Sequence, residues 1–230
     1  MIPVKLFNFL SGGLTKRTLL FVLIPLMFVS YFGTLVLAVL FFPGAYNWCD
    51  ASISTLLYPR NNPEFHFLAS IGIAVAGLLM IPFAGYINRR LRIASPVVAN
   101  AGTIAFAGGV ICLILAGLIV SHPLHGRSSV PRLHSILART AALGIGMGMV
   151  MFDACAVKGH FNRATGKKLY RRSLIVLWSL AILPVILAVV FGPVLQTHFW
   201  HLGFWEWIGS ASAFLFLVCS VWLLPEHACE

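Results

Sequence analysis

The residues able to do chemistry in this chain fall close together. Asp50, Ser54, Asn62, Glu64 and His66 lie within Tyr46–Phe67, and His122, His125, His134 and Arg139 lie in and just after a second polar stretch. A carboxylate, a histidine and a serine hydroxyl within hydrogen-bond reach support acid–base or nucleophilic chemistry. On that reading Asp50, Ser54, His122 and His134 are the candidate catalytic residues. Histidines with Asp50 or Glu64 also make zinc ligands. However, no HxxxH pair sits on one helix, Pro123 interrupts His122-x-x-His125, and aromatic residues separate His198 from His201, so no metal is expected. Bis-histidine haem needs two rings at matched depth on facing helices. His66, His122 and His134 all stand at the ends of apolar runs, so no cofactor is expected. The same side chains can instead hydrogen-bond loop backbone and lipid headgroups and pair with opposite charges.

The elements that position these residues are apolar. The 230 residues are 60% hydrophobic and 10% charged, with mean hydropathy +0.94, whereas a soluble domain carries about 25% charged residues. Lipid is therefore the solvent for most of the chain. Six apolar runs, at about 18–42, 68–87, 97–120, 135–157, 173–194 and 206–224, match the roughly 20 residues a helix needs to cross a bilayer. The expected fold is one all-α, six-span polytopic domain over residues 1–230. The first run is too long for the h-region of a signal peptide, about 7–15 residues, and FFPGAYNW is a poor cleavage site.

Charge sets the orientation. Twelve lysines and arginines (Lys5, Lys16, Arg17, Arg89, Arg90, Arg92 and six within 158–172) fall on one side, against Arg60, Arg127 and Arg132 on the other. Cytoplasmic loops carry the excess of basic residues. Both termini are thus expected inside, and Tyr46–Phe67 outside, in a multi-pass protein of the cell membrane (the inner membrane in a bacterium). The formal charge of +10 does not point to nucleic acid, because the basic residues alternate with spans and form no single face. The basic loop 158–172 could contact anionic lipid at roughly 1 kcal/mol per residue, although topology alone accounts for its charge. Among the five cysteines there is no CxxC pair and only Cys49 falls outside, so no disulfide in the outer loops and no zinc finger is expected.

Small residues mark the second to fourth spans as the tight part of the bundle, with Gly144 and Gly148 at GxxxG spacing. If those helices pack together, His66, His122, His134 and Arg139 converge beneath the outer loop. A buried arginine seeks a carboxylate, so Arg139 is expected to meet Asp50 or Glu64, and Asp153 to pair with Lys158 or His160 near the inner surface.

Ile53-Ser54-Thr55-Leu56, Asn62-Pro63, Phe65 and Phe67 leading into the second span, and His134 followed by Ala138 and Ala141-Ala142 resemble the six-span Frag1/DRAM/Sfk1 membrane proteins and the related bacterial DUF998 proteins. The resemblance implies a polytopic protein linked to membrane lipid organisation or lipid-anchor processing. The expected function is recognition of membrane lipid or a partner through the polar outer face. The rival is a lipid-headgroup hydrolase. Asn47-Trp48-Cys49-Asp50 is similar to a motif of ceramidase-like zinc hydrolases, but here it follows a first span and no HxxxH pair comes later. A small-molecule or ion transporter ranks third, because mid-membrane ionisable groups are scarce.

Overall fold

The computed structural model describes residues 8–9, 11–48, 50–120, 129–161 and 202–224. Its regular elements are all helical: α1 (Lys16–Leu40), α2 (Ile53–Leu57), α3 (His66–Leu91), α4 (Pro96–Val120), α5 (Ser129–Phe161) and α6 (Leu202–Leu223). Five of them, all except α2, are long and apolar enough to cross a membrane. The expected span at 173–194 lies outside the described residues, as do His122 and His125.

Two helices run longer than their apolar cores. α3 continues through Asn88, Arg89 and Arg90, where polar side chains find partners. Asn88 Nδ2 donates to Asn100 Oδ1 (2.9 Å) and Thr103 Oγ1 (2.7 Å) on α4, and the Arg90 guanidinium lies 3.3 Å from the centroid of the Tyr86 ring. α5 starts at Ser129, earlier than hydropathy alone suggests. Pro82 sits inside α3 without ending it.

α1 is not a uniform α-helix. Leu19–Leu23 and Val29–Gly33 are π-helical, on either side of Pro25. Its buried stripe runs Leu19, Leu23, Met27, Tyr31 and Leu35, a stride of four. In an α-helix each such stride overshoots a full turn by about 40°, so the stripe would wind off the core. The wider π turns take up that drift and keep all five side chains facing inward. Proline contributes by leaving a carbonyl one turn earlier without its donor.

α4 and α5 approach each other closely enough for their backbones to touch. A Cβ added at Gly109 would meet Ile145 N at 2.5 Å and Ala141 O at 2.9 Å, and one at Gly144 would meet the Cα of Gly109 at 2.8 Å. With no water to squeeze from between helices in lipid, such backbone contact is what holds two spans together. The far end of the bundle is basic. Lys16 Nζ donates to the carbonyls of Trp222 and, at 3.3 Å, Leu224 at the end of α6, where the helix dipole favours a cation. Arg89 donates to Ser11 Oγ at 3.0 Å. Towards the carboxyl end of α5, Asp153 Oδ1 is buried with no hydrogen-bond partner among the described residues, and the side chain of His160 lies outside them.

The glycine seam gives a paired test. Gly109→Ala should destabilise the protein by about 1–3 kcal/mol through overpacking. Gly108→Ala, where a Cβ meets nothing within 4 Å, should be neutral or gain up to about 1 kcal/mol in helix propensity. Thermal unfolding of the two variants in detergent checks this, and equal midpoints would contradict the seam.

Candidate functional site

The segment between α1 and α3 folds back across the helix ends. Gly44, at φ +92°, turns the chain where a side chain would be strained. Tyr46 then reaches across the segment with its hydroxyl, 2.9 Å from Ala51 O and 3.0 Å from Ser52 O, and accepts from Trp207 Nε1 at 3.3 Å. Trp48 packs on Trp207 with ring centroids 4.8 Å apart. Ser52 caps α2 by accepting the Thr55 amide at 3.3 Å. This short helix buries Ile53, Leu56 and Leu57 and leaves Ser54 half-buried between α5 and α6.

Asn62 closes the segment and is fully buried. Its Nδ2 donates to Ala38 O (3.2 Å) near the end of α1 and to Leu56 O (3.4 Å) in α2, while its Oδ1 accepts the Phe65 amide (3.3 Å) before α3. Its own carbonyl accepts from His66 Nδ1 at 3.0 Å, and the Pro63 carbonyl does so at 3.1 Å. Asn62 and His66 are thereby occupied in fastening the loop.

The candidate centre lies where α2 meets α5 and α6, with α4 bonded to α5 behind it. His134, 5% exposed, places Nε2 3.0 Å from Ser54 Oγ and Nδ1 3.0 Å from Ala116 O. A carbonyl only accepts, so Nδ1 carries the hydrogen. In the neutral ring Nε2 is then a bare acceptor, and the Ser54 hydroxyl donates to it. The Tyr58 ring stands edge-on to the imidazole, centroids 5.8 Å apart. On the other side, the Ser54 amide donates to Glu206 Oε2 at 3.4 Å, and the Ile53 amide bonds the same carboxyl group. One turn further along α6, Ser210 Oγ lies 2.8 Å from Tyr31 OH.

Of the nine residues singled out by sequence, the structure joins Ser54 to His134 and Asn62 to His66. Asp50 does not hold the imidazole. It stands on an exposed turn, accepting from Asn47 Nδ2 at 2.5 Å, and the Nδ1 position that a triad carboxylate would fill belongs to Ala116 O. Arg139 and Glu64 are exposed. The arginine is therefore not the buried charge beneath the loop that its place in an apolar run suggests. Its position on the α5 surface lets the long side chain leave the apolar region. Among the described residues no three His, Cys, Asp or Glu side chains gather where they could hold a metal ion. Glu206 is not among the nine, and its neighbours in sequence offered it no partner. A carboxylate one residue after Trp205, at the mouth of an apolar run, was the available signal. Ala116 carried none, because its contribution is a backbone oxygen.

Asn62 should be the most sensitive residue of the loop. Asn62→Ala leaves two buried carbonyls unpaired, worth about 1–3 kcal/mol, and Asn62→Asp turns an oxygen toward those same carbonyls. Both should lower the thermal midpoint and expose residues 46–65 to protease, and an unchanged midpoint in both would refute this role. Tyr46 offers a pH test. Burial pushes its phenol from 10.0 up to about 12, with Glu206 adding to the shift and the Trp207 bond opposing it. An unfolded tyrosine loses its proton near pH 10 while the folded one keeps it, so this contribution is intact below pH 10 and declines toward pH 12. Denaturant melts across that window should show a shallower decline in Tyr46→Phe.

Comparisons with family models, with curated proteins and with solved structures give no match to this chain, and its function has to be read from this geometry.

Proposed function

We propose that the protein is a six-span membrane protein, with both termini cytoplasmic, that recognises membrane lipid through the polar end closed by residues 46–65. The convergence of Ser54, His134 and Glu206 from three separate elements at the level of the helix ends is the observation that carries this reading. Ionisable groups so placed are expensive in a membrane, and function is the default reason for keeping them. The neighbouring surface suits acyl chains, since Leu133 and Ile136, beside His134 on α5, are 44% and 61% exposed. The positive-inside asymmetry supports the orientation, with a further span at 173–194 bringing the carboxyl end back to the inner side. The Frag1/DRAM/Sfk1 and DUF998 resemblance, carried by Ser54, Asn62 and His134 among others, agrees with a role in lipid organisation or lipid-anchor processing. The opposite basic face is assigned to topology, with contact to anionic headgroups as a secondary contribution.

A ligand that binds only the folded state raises its stability in proportion to ln(1 + [L]/Kd). Phosphatidylglycerol or phosphatidylethanolamine added to the purified protein in detergent should raise the thermal midpoint by several degrees. Ser54→Val should lose the rise and Arg92→Ala, at the other end, should keep it. Equal rises in all three proteins would mean nonspecific lipid contact and overturn the reading.

A further inference from the structure

We infer that Ser54 and His134 form a nucleophile–base pair for acyl transfer from a carboxylic ester of a membrane lipid. This rests on the lipid-binding reading above. The argument begins with the direction of two hydrogen bonds. Ala116 O fixes the hydrogen of His134 on Nδ1, so Nε2 is a base aimed at Ser54 Oγ from 3.0 Å. A serine hydroxyl is a weak nucleophile until an adjacent base takes its proton, and that base needs a third group to hold its orientation. The Ala116 carbonyl fills the third place.

Both partners are held from elsewhere. The imidazole is buried against α4 and the Tyr58 ring, whereas Ser54 keeps part of its surface open. Thus the residue carrying the nucleophile is the more open of the two, and the base is shielded from water. Glu206 binds the amides of Ser54 and Ile53, fixing the helix that carries the hydroxyl, and is a positioning residue. A carboxyl group at the Ser54 amide also favours a neutral ester over an anionic phosphate as the group attacked.

The chemistry balances without an oxidant or reductant. Ser54 Oγ forms a bond to the ester carbonyl carbon as its proton passes to His134 Nε2. The tetrahedral oxyanion collapses, the bond from carbon to the alcohol oxygen breaks, and Nε2 returns the proton to that oxygen. The alcohol leaves and the acyl group stays on Ser54. A second hydroxyl compound, water in the simplest case, then gives its proton to Nε2 and attacks the acyl carbon. Ser54 Oγ departs and regains the proton.

The test uses the full-length protein in detergent with a long-chain alkyl fluorophosphonate and, separately, with p-nitrophenyl butyrate. Peptide mapping should find a phosphonyl adduct and a trapped butyryl group on Ser54 of the unaltered protein, and neither in Ser54→Ala. His134→Gln should slow phosphonylation about 100-fold or more, as expected for removal of a general base, with thermal midpoints measured alongside. No adduct on Ser54 of the folded, unaltered protein would overturn the proposal. So would an unchanged labelling rate in His134→Gln. If His134→Gln unfolds, the butyryl group on the unaltered protein decides alone: its presence on Ser54 supports the proposal and its absence or location elsewhere overturns it. Adducts without a lipid-dependent midpoint rise would sink lipid recognition and leave the pair standing. A lipid-dependent rise without adducts would do the reverse.

Discussion

Residues 46–65 lie across the ends of membrane helices, where backbone groups lack both regular helix bonding and full access to water. Each such group must still be satisfied, because an unpaired polar group near hydrocarbon costs several kcal/mol (about the desolvation of an amide). Asn62 meets that demand at three points. One amide side chain serves the end of α1, the body of α2 and the approach to α3, which makes the position of each depend on the others. The aim of Ser54 follows from this, since α2 has only five residues and is too short to hold its direction alone.

The two halves of the Ser54–His134 pair are therefore supported in different ways. His134 and Ala116 belong to α5 and α4, whose backbones touch along Gly109 and Gly144. The spacing between imidazole and carbonyl is set by that seam. Ser54 arrives on the loop, restrained by Asn62 beneath it and Glu206 beside it. A rigid base thus faces a nucleophile carried by the part of the fold with the fewest intrinsic restraints.

The helical class and the approximate extents of five spans were legible from hydropathy, and the glycines of α4 and α5 announced their close contact. Other features had no signal of their own. The π turns of α1 are hidden because nearly every residue from Leu19 to Leu40 is apolar, so a four-residue stripe leaves no visible period. Ser54 and His134 were both recognisable as chemically capable, but their pairing depends on a loop conformation fixed by Asn62. The exchange of Asp50 for a main-chain carbonyl could not be read from residue types at all. Arg139 misled for a related reason: a place within an apolar run fixes depth, while the face of the helix decides whether a charge is enclosed.

The bonds of α6 to the early part of the chain have a bearing on biosynthesis. Lys16 is anchored on the last carbonyls of α6, Tyr31 pairs with Ser210, and the Ser54 amide rests on Glu206. Every one of these early residues emerges from the ribosome long before its partner exists. These contacts consequently form only once α6 is made, and until it inserts the nascent chain holds a serine and an imidazole that have not yet been locked into register.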